Sequence, residues 1–175
     1  MKRLILWAPL GLFVLFVAVF ASGLIAPASR DIPSRMIGRP LPVFDLPPGA
    51  PGHPPLASSA FATGRPRLLN VFASWCVPCA AEAQQLGQLA AAGVEIDAIA
   101  IRDRPEDVAT FLRRWGDPYR AIGSDVDSRV QIAMGSAGVP ETFVIDGHGI
   151  IRHQHIGQIQ PEDVPAILAA VKAAQ

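Results

Sequence analysis

The chain has 175 residues, enough for one domain with an appendage and too few for two ordinary domains. Its 15 Lys+Arg balance 15 Asp+Glu, which argues against nucleic-acid binding by bulk charge. The two cysteines exclude a disulfide-rich scaffold and a four-cysteine zinc site.

Lys2 and Arg3 precede an uncharged run that extends from Leu4 to Ser29. A secretory signal has an apolar core of ~7–15 residues, whereas a spanning helix needs ~20. The length predicts an uncleaved membrane anchor over residues 1–29. Ala26-Pro27-Ala28 has the small-x-small shape of a cleavage site, so a cleaved signal is the alternative. The positive-inside rule keeps the short N-terminus in the cytoplasm. Either reading exports the remainder, in a bacterium to the oxidising periplasm; an anchor makes it a single-pass inner-membrane protein.

Residues 30–55 read as a proline-rich spacer, with Pro40, Pro42, Pro47, Pro48, Pro51, Pro54 and Pro55 precluding a regular helix. Within it, residues 42–46 suit a short edge strand. Residues 56–175 read as the folded domain. Residues 67–74 (RLLNVFAS) suit a buried strand. Residues 80–92 are rich in helix formers and stop at Gly93. Residues 94–101 alternate as a strand. Residues 103–115 read as a helix with Pro105 near its start and Gly116 past its end. Residues 127–134 form a short helix candidate. Residues 142–145 and 150–155 flank Asp146-Gly147-His148-Gly149, a hairpin signal. Residues 161–174 make a final helix. A β-α-β start implies parallel strands with a right-handed crossover; the closing hairpin makes the sheet mixed.

The chemistry lies in Trp75-Cys76-Val77-Pro78-Cys79, between a predicted strand and a predicted helix. A cysteine at a helix start faces unpaired N–H groups and the positive end of the helix dipole, which stabilise a thiolate. The thiolate is the attacking species in disulfide exchange. Cys76 is therefore the expected nucleophile and Cys79, one turn on, the resolving thiol, with Pro78 fixing the backbone between them. A purely structural disulfide closing so short a loop would contribute only roughly 2 kcal/mol. Half of a metal site and two inert buried thiols are the other readings.

Residues 70–79 (NVFASWCVPC) resemble the active-site segment of membrane-anchored thioredoxin-like proteins. Residues 138–146 (GVPETFVID) resemble the second signature of that group, and residues 36–44 (MIGRPLPVF) its leading segment. With the N-terminal run and residues 147–152 (GHGIIR), these are similar to the DsbE/CcmG family, the thiol:disulfide interchange proteins of cytochrome c maturation. The resemblance covers roughly residues 36–165. It implies a thioredoxin fold, a central mixed sheet flanked by helices. It implies that Pro140 is a cis-proline facing the cysteines, with Val139 presenting backbone groups to a partner chain. It implies apocytochrome c, or a carrier holding it, as substrate, and a transmembrane thiol carrier of the DsbD/CcdA type as electron donor. No cofactor or metal is required.

Thioredoxin has a buried aspartate six positions before its first cysteine; here that position is Asn70, which cannot take a proton. By the resemblance, Glu82 and Glu141 are the carboxylates that line the dithiol and tune its pKa. A carboxylate near Cys76 would raise that pKa, opposing the helix dipole. The alternatives are a solvated helix residue and a strand-edge charge. Trp75 is expected to shield the dithiol and contact partners. The segment after the third strand, Ala100-Ile101-Arg102-Asp103-Arg104, departs from the aromatic and polar cluster of some family members. His53 is expected to be solvated, and His153 and His155 to share one strand face. A copper metallochaperone, using the cysteines with a histidine, and a broader exported thiol reductase or oxidant are the competing functions.

Overall fold

A computed structural model describes residues 2–25 and 36–175, with side chains in the first stretch limited to Trp7 and residues 9–21. Two compact units result, residues 1–33 and 34–175.

The first unit is helix α1 (Lys2–Ile25). Its described side chains are nearly all apolar and exposed. Among the described residues no helix is long and apolar enough to cross a membrane. The alternative cleavage site, residues 26–28, lies outside the described residues.

The second unit is built on a five-stranded sheet of order β5-β4-β3-β6-β7. Its strands are β3 (Arg67–Phe72), β4 (Ile96–Ile101), β5 (Ile122–Asp125), β6 (Glu141–Ile145) and β7 (Ile151–Ile156). β3, β4 and β5 run parallel; β6 and β7 are antiparallel to their neighbours. Central strands β3, β4 and β6 are buried almost throughout, so that β4, expected to alternate, is covered on both faces, Asp97 included. Helices α2 (Val77–Ala81), α3 (Ala83–Ala91), α4 (Pro105–Trp115), α5 (Arg129–Ala133) and α6 (Val164–Ala173) flank it. α3 packs on α6, and α6 on β6. α4 reaches the sheet through Phe111, whose ring lies 5.6 Å from that of Phe72.

Several expectations change. The single helix over 80–92 is two helices that meet at Glu82, whose ψ of −4° relaxes the turn. The edge strand over 42–46 shrinks to β1 (Asp45–Leu46), which pairs with β2 (Leu56–Ala57) in a separate two-stranded sheet. The described part of the 30–55 spacer is not a linker: it packs into the domain, burying Leu41, Phe44, Leu46 and Ala50. It covers the start of β7, where Leu41 N donates to Gly149 O at 2.8 Å. It also covers β5, where Gly49 N donates to Ile122 O at 2.7 Å and Ser124 N to Pro47 O at 2.8 Å. The β5 edge and the start of the β7 edge are thereby shielded from foreign strands.

β5 had no signal in the sequence because glycine interrupts it. A Cβ on Gly123 would lie 2.8 Å from Leu46 Cβ and 3.1 Å from Leu56 Cβ, so the residue that weakens the strand pattern admits the β1–β2 ribbon. His53 is not solvated: its ring is mostly buried and pairs with Asp117 at 3.2 Å.

Candidate active site

β3 ends at Phe72, and the chain turns through Ala73–Ser74–Trp75 into α2. Ser74 fixes the turn, its N–H and hydroxyl donating to Asp103 at 2.5 and 2.8 Å. Cys76 is the N-cap of α2, with extended backbone angles. Its Sγ accepts from the Cys79 N–H at 3.2 Å. Backbone donation of this kind favours the thiolate when the bond is reduced. Cys76 and Cys79 are joined as a disulfide, with Cα atoms 5.3 Å apart. Cys76 is 5% exposed and Cys79 2%, so attack from outside reaches the first sulfur more readily. Pro78 occupies the first turn of α2, where its missing N–H costs no helical bond. Trp75 and Val77 are 57% and 79% exposed, giving the dithiol an apolar rim. Trp75 is thus placed to meet a partner rather than to fill the core.

The Val139–Pro140 peptide is cis. β3 and β6 are antiparallel, with Val71 opposite Glu141. That register brings Pro140 to the end of the sheet that carries the cysteines. Pro140 is buried and Val139 half-buried, and the Pro140 carbonyl accepts from Gly157 N at 3.0 Å.

Both carboxylates are buried, Glu82 wholly and Glu141 to 2% exposure, which removes the solvated alternatives. Glu141 accepts from Ala137 N at 3.0 Å and Gln154 Nε2 at 2.7 Å. Glu82 sits at the α2–α3 junction, three residues beyond Cys79. Its Oε1 accepts from Asn70 Nδ2 at 3.0 Å and its Oε2 from Ile159 N at 2.9 Å. Burial raises its pKa to about 7, against the pull of the Ile159 N–H and the Asn70 amide.

Asn70 is the hub of this network. Its Nδ2 also donates to Thr142 Oγ1 at 3.0 Å, and its Oδ1 accepts from Tyr119 O–H at 2.9 Å. Thr142 and Tyr119 were not legible as site residues. The signal that existed was one polar residue, Asn70, inside an otherwise apolar strand, and a single tyrosine in the whole chain. The copper alternative requires a histidine at the cysteine pair. His155 is instead engaged by the Gln158 carbonyl at 3.3 Å and Asp163 at 3.6 Å.

Comparison with known proteins places this geometry. The Redoxin family model matches residues 36–171. The chain is 37% identical over 166 residues to the thiol:disulfide interchange protein DsbE of Escherichia coli (strain K12), covering 92% of this chain and 89% of that one. It is 39% identical over 160 residues to DsbE of Pseudomonas fluorescens biotype C, covering 91% and 88%. A crystal structure from Chlorobium tepidum, solved as a candidate DsbE, superposes with a TM-score of 0.68 at 26% identity, over 79% of this chain and 96% of that one. The buried strand, the WCVPC turn and the thioredoxin-like sheet thus have one common source: the chain belongs to the Redoxin family and, within it, to the DsbE thiol:disulfide interchange proteins, which are thiol-disulfide oxidoreductases.

Proposed function

We propose that this protein is a membrane-tethered reductant acting outside the cytoplasm on the CxxCH disulfide of apocytochrome c, or of a carrier holding it. The Cys76 thiolate attacks one sulfur of the partner disulfide, forming a mixed disulfide and releasing a partner thiolate. Cys79, deprotonated, attacks Cys76 Sγ; the Cys76–Cys79 bond forms and the second partner thiolate leaves. Two electrons pass to the partner. A transmembrane thiol carrier of the DsbD/CcdA type returns them.

The observation that carries the reading is the Cys76–Cys79 pair within a chain 35–39% identical to DsbE proteins over most of its length. The buried carboxylates support the direction. A strong thiol oxidant owes its potential to a stabilised reduced form. By the family resemblance Glu82 and Glu141 line the dithiol, where a carboxylate opposes thiolate formation and so favours donation of electrons. Glu82, poised near neutrality, is suited to accept the proton that Cys79 must lose. Trp75 and Val139 offer side-chain and backbone contacts to an extended partner, and Pro140 shapes that surface. The uncharged run within residues 1–29 and the cationic Lys2 and Arg3 support a single inner-membrane span with the N-terminus cytoplasmic.

Haem attaches to free thiols, so loss of this reductant starves cytochrome c assembly. Cells carrying only Cys76→Ser are expected to lack haem-stained c-type cytochromes while other periplasmic disulfide proteins fold normally. Normal c-type cytochromes would reject the cytochrome role and leave a broader exported thiol exchange.

A further inference from the structure

Beside the dithiol lies a groove of about 500 Å³ between the Trp75 turn, the end of β4 and one face of α4. We propose that this groove docks an acidic segment of the partner polypeptide, next to the disulfide being exchanged. The inference rests on the exchange reading above and adds the partner's charge.

Its two acidic groups are already engaged. Asp103 accepts from the Ser74 N–H and hydroxyl and from Arg104 N at 3.0 Å. Asp107 accepts from Arg104 Nε at 2.8 Å. Two guanidinium groups remain without a carboxylate among the described residues. Arg114 stacks on the Trp115 ring at 4.8 Å from its centroid. Arg102 donates from Nε to the Ser128 hydroxyl at 3.1 Å. Both are exposed, so each has donors left for a ligand; a guanidinium carries five N–H groups.

Arg102 is also fixed in place. It adopts φ +47°, a conformation that a residue with a Cβ rarely takes. Trp75 Nε1 donates to its carbonyl at 3.3 Å, and its N–H donates to Asp125 O at 3.3 Å. Strain at a position so fully held marks a site where the side chain's direction matters. The Trp75 bond also makes the groove continuous with the residue preceding Cys76. Exposed Trp75 and Trp115, at 57% and 45%, supply rigid apolar surface beside the cations, the composition typical of interface anchors. A planar guanidinium held on an aromatic face is well suited to carboxylate recognition. The groove lining carries three arginines against two aspartates, a small cationic excess, with the Arg102 and Arg114 guanidinium groups open to a partner's carboxylates.

The test uses the full-length reduced protein in detergent. Three synthetic peptides share one intramolecular disulfide and differ only in Glu, Gln or Lys at flanking positions. Bis(2-hydroxyethyl) disulfide is the uncharged reference. At low ionic strength the Glu peptide is expected to be reduced about tenfold faster than the Lys peptide, with Gln between, because such charges act mainly on association rate. The difference is expected to collapse in high salt. R114E is expected to abolish or invert the order; R113E, at a guanidinium that holds Thr110 rather than the Trp115 ring, is expected to weaken it less. Equal rates for the three peptides, or an order unchanged in R114E, would overturn the proposal. Self-association abolished by R114E would assign the groove to a second copy and overturn it also. Failure to reduce even the uncharged disulfide would overturn the exchange reading itself, a result distinct from equal peptide rates.

Discussion

Cys79→Ser is expected to trap a covalent complex with the partner, whereas Cys76→Ser is expected to form none. The asymmetry follows from position. Cys76 caps α2 and accepts the Cys79 N–H; it is the more exposed residue of the pair and is flanked by the exposed side chains of Trp75 and Val77. Without Cys76 there is no attacking thiolate at the surface, and Cys79, 2% exposed, cannot replace it. Exchange should fall to background, a loss of roughly 10³-fold or more, as when a nucleophile is removed from a concerted unit. Without Cys79 the first step still runs, but nothing attacks Cys76 Sγ, and the mixed disulfide accumulates until an external thiol cleaves it. Non-reducing electrophoresis of each variant with a disulfide peptide reads both outcomes. Trapping through Cys79 in a Cys76→Ser protein would reverse the assignment.

The second large effect concerns Glu82 and pH. Its pKa is about 7 in the folded protein against an ordinary 4.5, so between those values the native state holds more protons than the unfolded chain. Stability therefore falls as pH rises through this window and levels off above about 7. The whole difference is worth about 3 kcal/mol. Most of it should appear between pH 5 and pH 8 as a drop in urea-unfolding free energy of the oxidised protein. Glu82→Gln removes the titration and should flatten that part of the profile. Every other titrating group is common to both proteins, so the difference between profiles isolates Glu82. The variant has its own cost. A protonated carboxyl keeps two oxygens as acceptors for Asn70 Nδ2 and Ile159 N, whereas glutamine turns an NH₂ toward one of these donors. At pH 5 it should therefore be less stable by roughly 1–3 kcal/mol, and the gap should narrow as pH rises. Parallel profiles would show that Glu82 does not carry a raised pKa.

The sequence shows the redox centre plainly because its chemistry is local. Strand, WCVPC and helix follow one another within 25 residues (67–91), and thiolate activation depends on that succession. The mixed sheet is legible for the same reason: residues 67–72 and 96–101 are dense apolar runs, and Asp146 to Gly149 is a turn by composition. The network behind the dithiol is not local. Asn70, Glu82, Thr142, Tyr119 and the Ile159 N–H come from five separate parts of the fold, with Glu82 and Ile159 77 positions apart. No periodicity links them. Asn70 looks in the sequence like a proton site lost; in the fold it is the hub that holds one, on Glu82. The packing of the described part of residues 30–55 is hidden for a different reason. Proline excludes helix but not packing, and Pro47 lends its carbonyl to the edge of β5 without needing an N–H of its own.

The central claim is that this dithiol donates electrons in a compartment where oxidants prevail. The most direct measurement is the thiol state of Cys76 and Cys79 in acid-quenched cells, read by alkylation mobility shift on the full-length protein. A pair that is mostly reduced, and that becomes oxidised when the transmembrane thiol carrier is removed, is the predicted result. A pair that stays oxidised with the carrier present would contradict the account and assign the protein to the oxidant or structural-disulfide reading.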